Sequence, residues 1–419
     1  MLDMDIRNSR IAIFGLGYVG LPIFESVLDF CNHVTGYDTS LKKIESLKND
    51  SLDYLDYDTV KLKELIRIKK PSLQTEFVSA NQHDIYVIAL PTPLNVNEND
   101  IEIENITSLL KKVCESCPNG STIILESTVY PGFTDEHIYD YFKAIRPKDK
   151  IHIVFSPERI DPGNKNFQLK NIPKIVSGAC EQSLEIGMHF YSKIVDKCIP
   201  APDIKTAEYA KLNENVYRAV NIAFANESNE ICKSLDIKYS DVLKLCSSKP
   251  FGYSPFFSSA GVGGHCIPVD PAYLLHVTKD KIPTSLVSTA FNQNLKRSTV
   301  IGEQCRNIIK KNNYQKILIV GYSYKKNSSD ARHNPVEGLI DAIEPSNLEL
   351  TVYDPVVKKS LDNKIPNIIT DLSDIQDIDL SIIVTMHDSI YLDKVISLSK
   401  HIIVTRSDVF INHHNVTYL

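Results

Sequence analysis

The run Gly261-Val262-Gly263-Gly264-His265-Cys266-Ile267-Pro268-Val269-Asp270-Pro271 sets a cysteine among glycines, with an aspartate four residues on. Glycines allow close approach of backbone to a ligand, and a loop thiol whose thiolate is steadied by nearby cations is a nucleophile. The same run also suits a small cysteine buried in a turn, since cysteine is common in cores. A second row is formed by Lys211, Asn215 and Arg218, whose spacing of i, i+4 and i+7 places them on one helical face. Their apolar neighbours, among them Leu212, Val216 and Ala219, make the row either a ligand-facing stripe on a buried helix or a solvated charge face. Glu126–Gly132 (ESTVYPG) and Ser156–Arg159 (SPER) each follow an apolar strand pattern, the place where open α/β sheets hold ligands. Thr128 and Glu158 are the candidates there, with turn capping and a surface salt bridge as their plainer readings. Pro91-Thr92-Pro93 is similarly placed, although proline-rich loops are common.

Gly15-Leu16-Gly17-Tyr18-Val19-Gly20 is a G-x-G-x-x-G. The first glycine permits a tight strand-to-helix turn, the second lets a pyrophosphate approach the backbone, and the third lets the helix pack against the sheet. The pyrophosphate then lies over the helix N-terminus, where free N–H groups favour anions. Asp38 ends the next strand pattern, where a carboxylate accepts from a ribose 2′-OH and repels a 2′-phosphate, so NAD is favoured over NADP. The alternative is a Rossmann-like turn that binds another nucleotide or none.

These residues need elements to hold them. Strand patterns at Arg10–Phe14, His33–Tyr37, 85–90, 122–126 and 151–155 alternate with helical ones, which predicts a parallel sheet covered on both faces. From about Ile204 to Leu235 runs a long helical pattern without proline or glycine, and another spans about 285–311. Strand patterns return at Lys316–Val320, which runs into Gly321, and at 348–353, which ends at Asp354. The predicted fold is α/β, with two Rossmann-like doubly wound parallel sheets joined by a central helical domain. The expected bounds are 1–203, 204–311 and 312–419.

The composition is that of a globular protein, 43% apolar and 23% charged, with net charge −6 over 419 residues. Such a balance gives no global attraction to nucleic acid or to an anionic membrane. No apolar run reaches the ~20 residues that span a bilayer, and a start carrying Asp3 and Asp5 does not read as a signal peptide. Nine scattered cysteines suit thiols in a reducing cytoplasm. Cys114 and Cys117 form a C-x-x-C, but no second pair or histidine follows at zinc spacing, and no metal is expected.

Taken together, the segments resemble the UDP-sugar 6-dehydrogenase family. The resemblance runs in order through GLGYVGLP (15–22), PTP (91–93), ESTVYPG (126–132), SPERIDPGN (156–164), AEYAKLNENVYRAVNIAFANE (207–227), GVGGHCIPVDP (261–271) and YSYKKNSSDARHNP (322–335). It implies an NAD-binding domain, a central helical domain that usually forms a homodimer or higher oligomer, and a UDP-binding domain. It also implies that Cys266 is the catalytic thiol, that Lys211 and Asn215 steady an oxyanion, and that Asp270 orders a water. Glu158 is implied as the base of hydrolysis, and Thr128 as a hydroxyl touching water and cofactor. Lys325 matches a sugar-contacting lysine and Arg332 an arginine reaching the NAD pyrophosphate. Pro91 and Thr92 join the cofactor set, and Arg159, Arg218, Gly263 and His265 the substrate set. The chain departs from the family at Pro162, where the UDP-glucose enzymes often carry a second glutamate, and in the loop Ser254–Ala260, which lacks a Pro-Gly.

The resemblance is to the N-acetylhexosamine branch, with UDP-N-acetylglucosamine favoured and UDP-N-acetylmannosamine or UDP-glucose as the alternative substrates, and implies a surface polysaccharide pathway. A two-electron hydroxyacid dehydrogenase and a silent nucleotide-sugar-binding protein are the rival readings.

Overall fold

The computed structural model describes residues 6–49, 51, 59–80, 82–95, 100–161, 164, 166–357 and 368–419; Pro162 lies outside them. The chain forms two compact units. One comprises residues 1–214 with 272–281, the other residues 215–271 with 282–419. The stretch 204–311 is thus shared between them.

The main sheet of the first unit is built from β1 Arg10–Phe14, β2 His33–Tyr37, β3 Ser72–Gln74, β4 Ile85–Ile88, β5 Thr122–Leu125, β6 His152–Phe155, β7 Lys174–Gly178 and β8 Cys198–Pro200. They form one sheet in the order β8-β7-β6-β5-β4-β1-β2-β3. The central strands are short apolar runs, buried throughout in β4 and β5, as a sheet covered on both faces requires. Helix α1, Gly20–Phe30, buries Leu21, Phe24, Val27 and Leu28 on one stripe against that sheet. The pairing is parallel except that β7 runs antiparallel to β6. The described residues among 156–173 hold a short 3₁₀ turn, Leu169–Asn171, and no crossover helix, and β7 returns in the opposite direction. Helix α2, Glu181–Tyr191, then covers this edge.

Helix α3, Ile204–Ser234, spans 31 residues. The second unit contains most of it, helix α5 Ser285–Asn312 and a second sheet; helix α4, Asp270–Thr278, falls between α3 and α5 in the chain and belongs to the first unit from residue 272. Its strands are β9 Lys316–Val320, β10 Glu349–Tyr353, β11 Ile368–Ile369, β12 Ile378–Ile383, β13 Ser399–Val404 and β14 Val416–Tyr418, in the order β11-β10-β9-β12-β13-β14, all parallel. Helix α6, Pro335–Ile343, starts with Pro335 and is capped by the Asn334 side chain, which accepts from the Val336 N–H at 2.8 Å. Gly302 lets α5 approach α6, since a Cβ there would lie 2.6 Å from the Ala342 Cβ. No helix among the described residues is long and apolar enough to cross a membrane.

The two sheets share one local device. Gly15 and Gly321 each follow the first strand and adopt φ +86°, a conformation suited to glycine. A Cβ on Gly321 would lie 2.0 Å from the Thr385 carbonyl oxygen. Gly321→Ala is therefore expected to destabilise the protein by about 2–4 kcal/mol. Urea unfolding checks this, and a wild-type midpoint would remove the constraint.

Candidate active site

The glycine-rich turn is built as a dinucleotide cradle. A Cβ on Gly15 would meet the Ala89 carbonyl oxygen at 2.5 Å, and one on Gly20 would lie 1.9 Å from the Gly15 carbonyl oxygen. Gly17 has open space in the same direction, which is the passage a pyrophosphate needs. Tyr18 and Val19 are half-buried and lead into α1. Asp38 accepts from the Leu16 N–H (2.9 Å), the Ser40 N–H (3.0 Å) and the Lys43 ammonium (2.7 Å). Those bonds fix its carboxylate at the end of β2, the position a ribose would use. Thr92 is buried and Pro91 exposed at the carboxyl end of the sheet, and Thr128 is half-buried.

Glu158 proves to be buried rather than in a surface salt bridge. One of its oxygens accepts the Arg159 and Ile160 N–H groups at 2.6 and 2.8 Å; the other accepts from the Lys174 ammonium at 2.7 Å. Lys174 also donates to Glu126 at 2.6 Å, and Tyr191 donates to the other Glu126 oxygen. Burial pushes the Glu126 carboxyl up to about 7. Burial alone would lower Lys174, but its two carboxylates outweigh that and raise it. Arg159 is held by Glu214 (2.6 and 3.2 Å) and by the Pro173 carbonyl, tying the loop after β6 to α3.

On α3 the expected stripe divides. Lys211 and Asn215 are buried and Arg218 is exposed. The stripe begins one turn earlier than expected, at Glu208, which is 0% exposed. Glu208 accepts from the Gly132 N–H (2.6 Å), the Thr134 N–H (3.0 Å) and the Thr134 hydroxyl (2.6 Å). It anchors the end of the ESTVYPG loop to the turn of α3 that precedes Lys211.

In the second unit the Cys266 side chain is exposed, which excludes the buried-cysteine reading. Its carbonyl accepts the Asp270 N–H at 2.9 Å, and buried Asp270 accepts from Asn215 at 2.6 Å. Arg218 donates to Asn215 at 3.3 Å. Gly263 and Gly264 lie flat against Tyr324, where Cβ atoms would come within 2.4 and 2.6 Å of its side chain. The Gly264 N–H also donates to the Arg332 carbonyl at 2.8 Å. The thiol loop is thereby clamped to the segment that carries half-buried Lys325 and Arg332. His265 is half-buried in the same loop. The Arg332 guanidinium pairs with Asp330 at 2.6 and 2.8 Å. In the loop Ser254–Ala260, Ser258 and Ala260 are buried and Ser259 donates its N–H to Asn226 at 2.9 Å.

Sequence reasoning also missed His387. It is 1% exposed; its Nδ1 accepts the Asn327 N–H at 2.9 Å, so Nε2 carries the proton and donates to Asp354 at 3.1 Å. Burial would raise the Asp354 carboxyl, but His387 and the turn N–H groups hold it below its usual range. This brace orders the chain just after Lys325. The C-x-x-C is inert by comparison: both thiols are buried, and burial pushes Cys114 up to about 12.

Sequence models of the UDP-glucose/GDP-mannose dehydrogenase family match the chain in order. The NAD-binding domain matches residues 9–195, the central domain 205–296 and the UDP-binding domain 318–417. The chain belongs to this family. It is an NAD-dependent nucleotide-sugar dehydrogenase with a UDP-binding domain. It is 33% identical over 368 residues to the UDP-N-acetyl-D-glucosamine 6-dehydrogenase of Salmonella typhi, covering 84% of this chain and 83% of that one. It is 31% identical over 350 residues to the UDP-N-acetyl-D-mannosamine dehydrogenase of Methanocaldococcus jannaschii, covering 83% and 79%. The UDP-N-acetyl-mannosamine dehydrogenase Cap5O from Staphylococcus aureus superposes with a TM-score of 0.83 at 28% identity over 98% of this chain and 97% of that one.

Burial outweighs the three donors on Glu208 and pushes its carboxyl up to about 7, from an ordinary value of 4.5. The folded chain then holds this proton to higher pH than the unfolded chain does. Its contribution is largest below about pH 4.5 and is lost as pH rises to about 7. Wild type is expected to lose on the order of 3 kcal/mol relative to Glu208→Gln across that window. Urea midpoints of the two proteins from pH 4.5 to 8 give the measurement; a pH-independent gap would contradict the assignment.

Proposed function

We propose that the enzyme oxidises the C6 alcohol of a UDP-N-acetylhexosamine, with UDP-N-acetylglucosamine favoured, to the uronate through a thioester on Cys266. The observation that carries this reading is the exposed Cys266 thiol, in a glycine loop whose turn is closed by the Asp270 N–H. Gly15–Gly20 and Asp38 would hold NAD, which would supply the hydride acceptor, one molecule for each of the two oxidations; in the first, the C6 hydride leaves to NAD and the hydroxyl proton to solvent. Thr128, Pro91, Thr92 and Arg332 complete that contact set. After the first oxidation the Cys266 thiolate adds to the C6 aldehyde, forming a C–S bond and a thiohemiacetal that carries a transferable hydrogen. Loss of its hydride leaves the thioester. Lys211 and Asn215 donate to the oxyanions, a contribution of about 2.7–4 kcal/mol per donor. Glu158 takes a proton from water, hydroxide adds to the thioester carbon, and the C–S bond breaks to return the thiolate. Asp270 orients water, while Arg159, Arg218, Gly263, His265 and Lys325 border the sugar nucleotide. In this division of labour residues 1–203 hold the cofactor, 204–311 the thiol and the assembly helix, and 312–419 the UDP. We place the enzyme in the cytoplasm, supplying acidic sugars for a surface polysaccharide.

NADH formed per sugar consumed tests the chemistry, on UDP-N-acetylglucosamine, UDP-N-acetylmannosamine, UDP-N-acetylgalactosamine and UDP-glucose in parallel. Two NADH per UDP-N-acetylglucosamine is the expected result, with Cys266→Ser lowering complete turnover by at least about 10³-fold. One NADH per sugar would leave a simple alcohol dehydrogenase, and binding without turnover a silent nucleotide-sugar-binding protein.

Homodimerisation is part of this reading. Tyr217, Phe224 and Ile231 lie seven residues apart on α3 and are 55%, 64% and 49% exposed. Repetition every seven residues makes a continuous apolar seam, and such exposed seams mark association sites. A cavity of about 390 Å³ beside it is lined by Tyr217, Phe224, Tyr239 and Tyr253. Phe224→Lys with Ile231→Lys is expected to give monomers at concentrations where wild type sediments as a dimer; unchanged sedimentation would move the interface elsewhere.

A further inference from the structure

Glu158 has four lone-pair positions, as any carboxylate does. The Arg159 and Ile160 N–H groups take both positions on one oxygen. Lys174 takes one of the two on the other oxygen. Among the described residues nothing takes the fourth position, which is able to accept a proton from water and lies on the oxygen that Lys174 grips. Lys174 is itself 2% exposed and reaches its place from β7, the strand that returns antiparallel to β6. It divides its donation between Glu158 at 2.7 Å and Glu126 at 2.6 Å. Glu126 is buried and held on its far oxygen by the Tyr191 hydroxyl.

We propose that Lys174, shared with Glu126, is a positioning residue that holds the Glu158 carboxylate in place and aims its open lone pair at the hydrolytic water. The inference rests on Glu158 acting as the base in the reading above. An ammonium bonded to Glu158 alone would leave Glu126 as an unpaired buried charge; with no ammonium, two carboxylates would lie in the core without a counter-charge. The shared geometry avoids both outcomes. In the step concerned, the water proton passes to the free position on Glu158, hydroxide bonds to the thioester carbon, and the sulfur leaves as thiolate. As Glu158 becomes neutral, the Lys174 charge remains balanced by Glu126, so no uncompensated charge appears in the core. Lys174 is raised above its ordinary range by these two carboxylates, against the effect of burial, and so stays cationic throughout.

The test is pre-steady-state NADH formation with UDP-N-acetylglucosamine or whichever of the four UDP-sugars is turned over, with mass spectrometry of the quenched protein. Glu158→Gln, Lys174→Met and Glu126→Gln are compared with wild type. All three variants are expected to show a rapid burst of two NADH per active site and an acyl adduct on Cys266. Steady-state turnover then falls roughly a hundredfold for Glu158→Gln and Lys174→Met, and roughly tenfold for Glu126→Gln. A purely structural role for Lys174 would lower the melting temperature and slow every step alike, with no burst and no adduct. If Lys174→Met does not fold, the near-isosteric Glu126→Gln decides. An adduct in Glu158→Gln alone, with turnover at the wild-type rate or slowed without a burst in the other two, overturns the proposal. Absence of an adduct in Glu158→Gln removes the base assignment, and the proposal with it.

Discussion

Each sheet hangs on one carboxylate. At the end of the strand beside the first one, Asp38 catches the N–H that follows Gly15, and Asp354 catches the Tyr322 N–H at 2.7 Å. The glycine before each N–H turns the chain through a left-handed conformation, leaving donors that secondary structure does not satisfy. A short acid on the neighbouring strand satisfies them and fixes where the following segment departs. In the first unit that segment is α1; in the second it is the stretch through Tyr324 and Lys325. The two glycines alone could not set this geometry, because glycine permits many conformations and selects none.

Beyond these turns, the loops are held by polar and ionisable side chains taken out of water. A buried ion is tolerated only with its partners in place, so burial becomes a means of fixing position. Glu208 holds 132–134, Lys174 holds the ends of two loops, and His387 holds 323–327 through Asp354 and the Asn327 N–H. These side-chain bonds are additional to the backbone ladders. Each converts a connection that could adopt many shapes into one whose functional atoms have fixed neighbours.

The elements that repeat over short sequence distances were the legible ones. The glycine turn, Asp38, the long helix and the second sheet all follow from local pattern, and the strand and helix bounds agree with that pattern to within a few residues. The exposure of Cys266 was not legible, because it depends on Gly263 and Gly264 seating against Tyr324, some sixty residues away. Lys211, Asn215 and Arg218 share a face as their spacing requires, yet only the first two are buried. Glu208 sits one turn before them and was overlooked because its partners are 74 and 76 residues distant. Lys174 was overlooked for the same reason, although a lysine inside the run Ile172–Val176 is itself a sign that a counter-charge waits across the fold. The antiparallel return of β7 could have been read from the run Ser156–Pro173, whose prolines and glycine carry no helical pattern.

The turn shared by Gly15 and Gly321 separates two kinds of information that a glycine fingerprint usually merges. The first glycine and the acid on the next strand encode architecture, and both sheets have them. The open space over Gly17 encodes the guest. Its counterpart in the second sheet is Ser323, fully buried, with its hydroxyl donating to the Lys325 carbonyl at 2.9 Å. For anyone reading genomes, a lone glycine paired with a strand-end aspartate thus marks a framework, and only the later glycines mark a tenant. For anyone engineering this chain, grafting glycines into 321–326 would undo a brace without creating a second cofactor cradle.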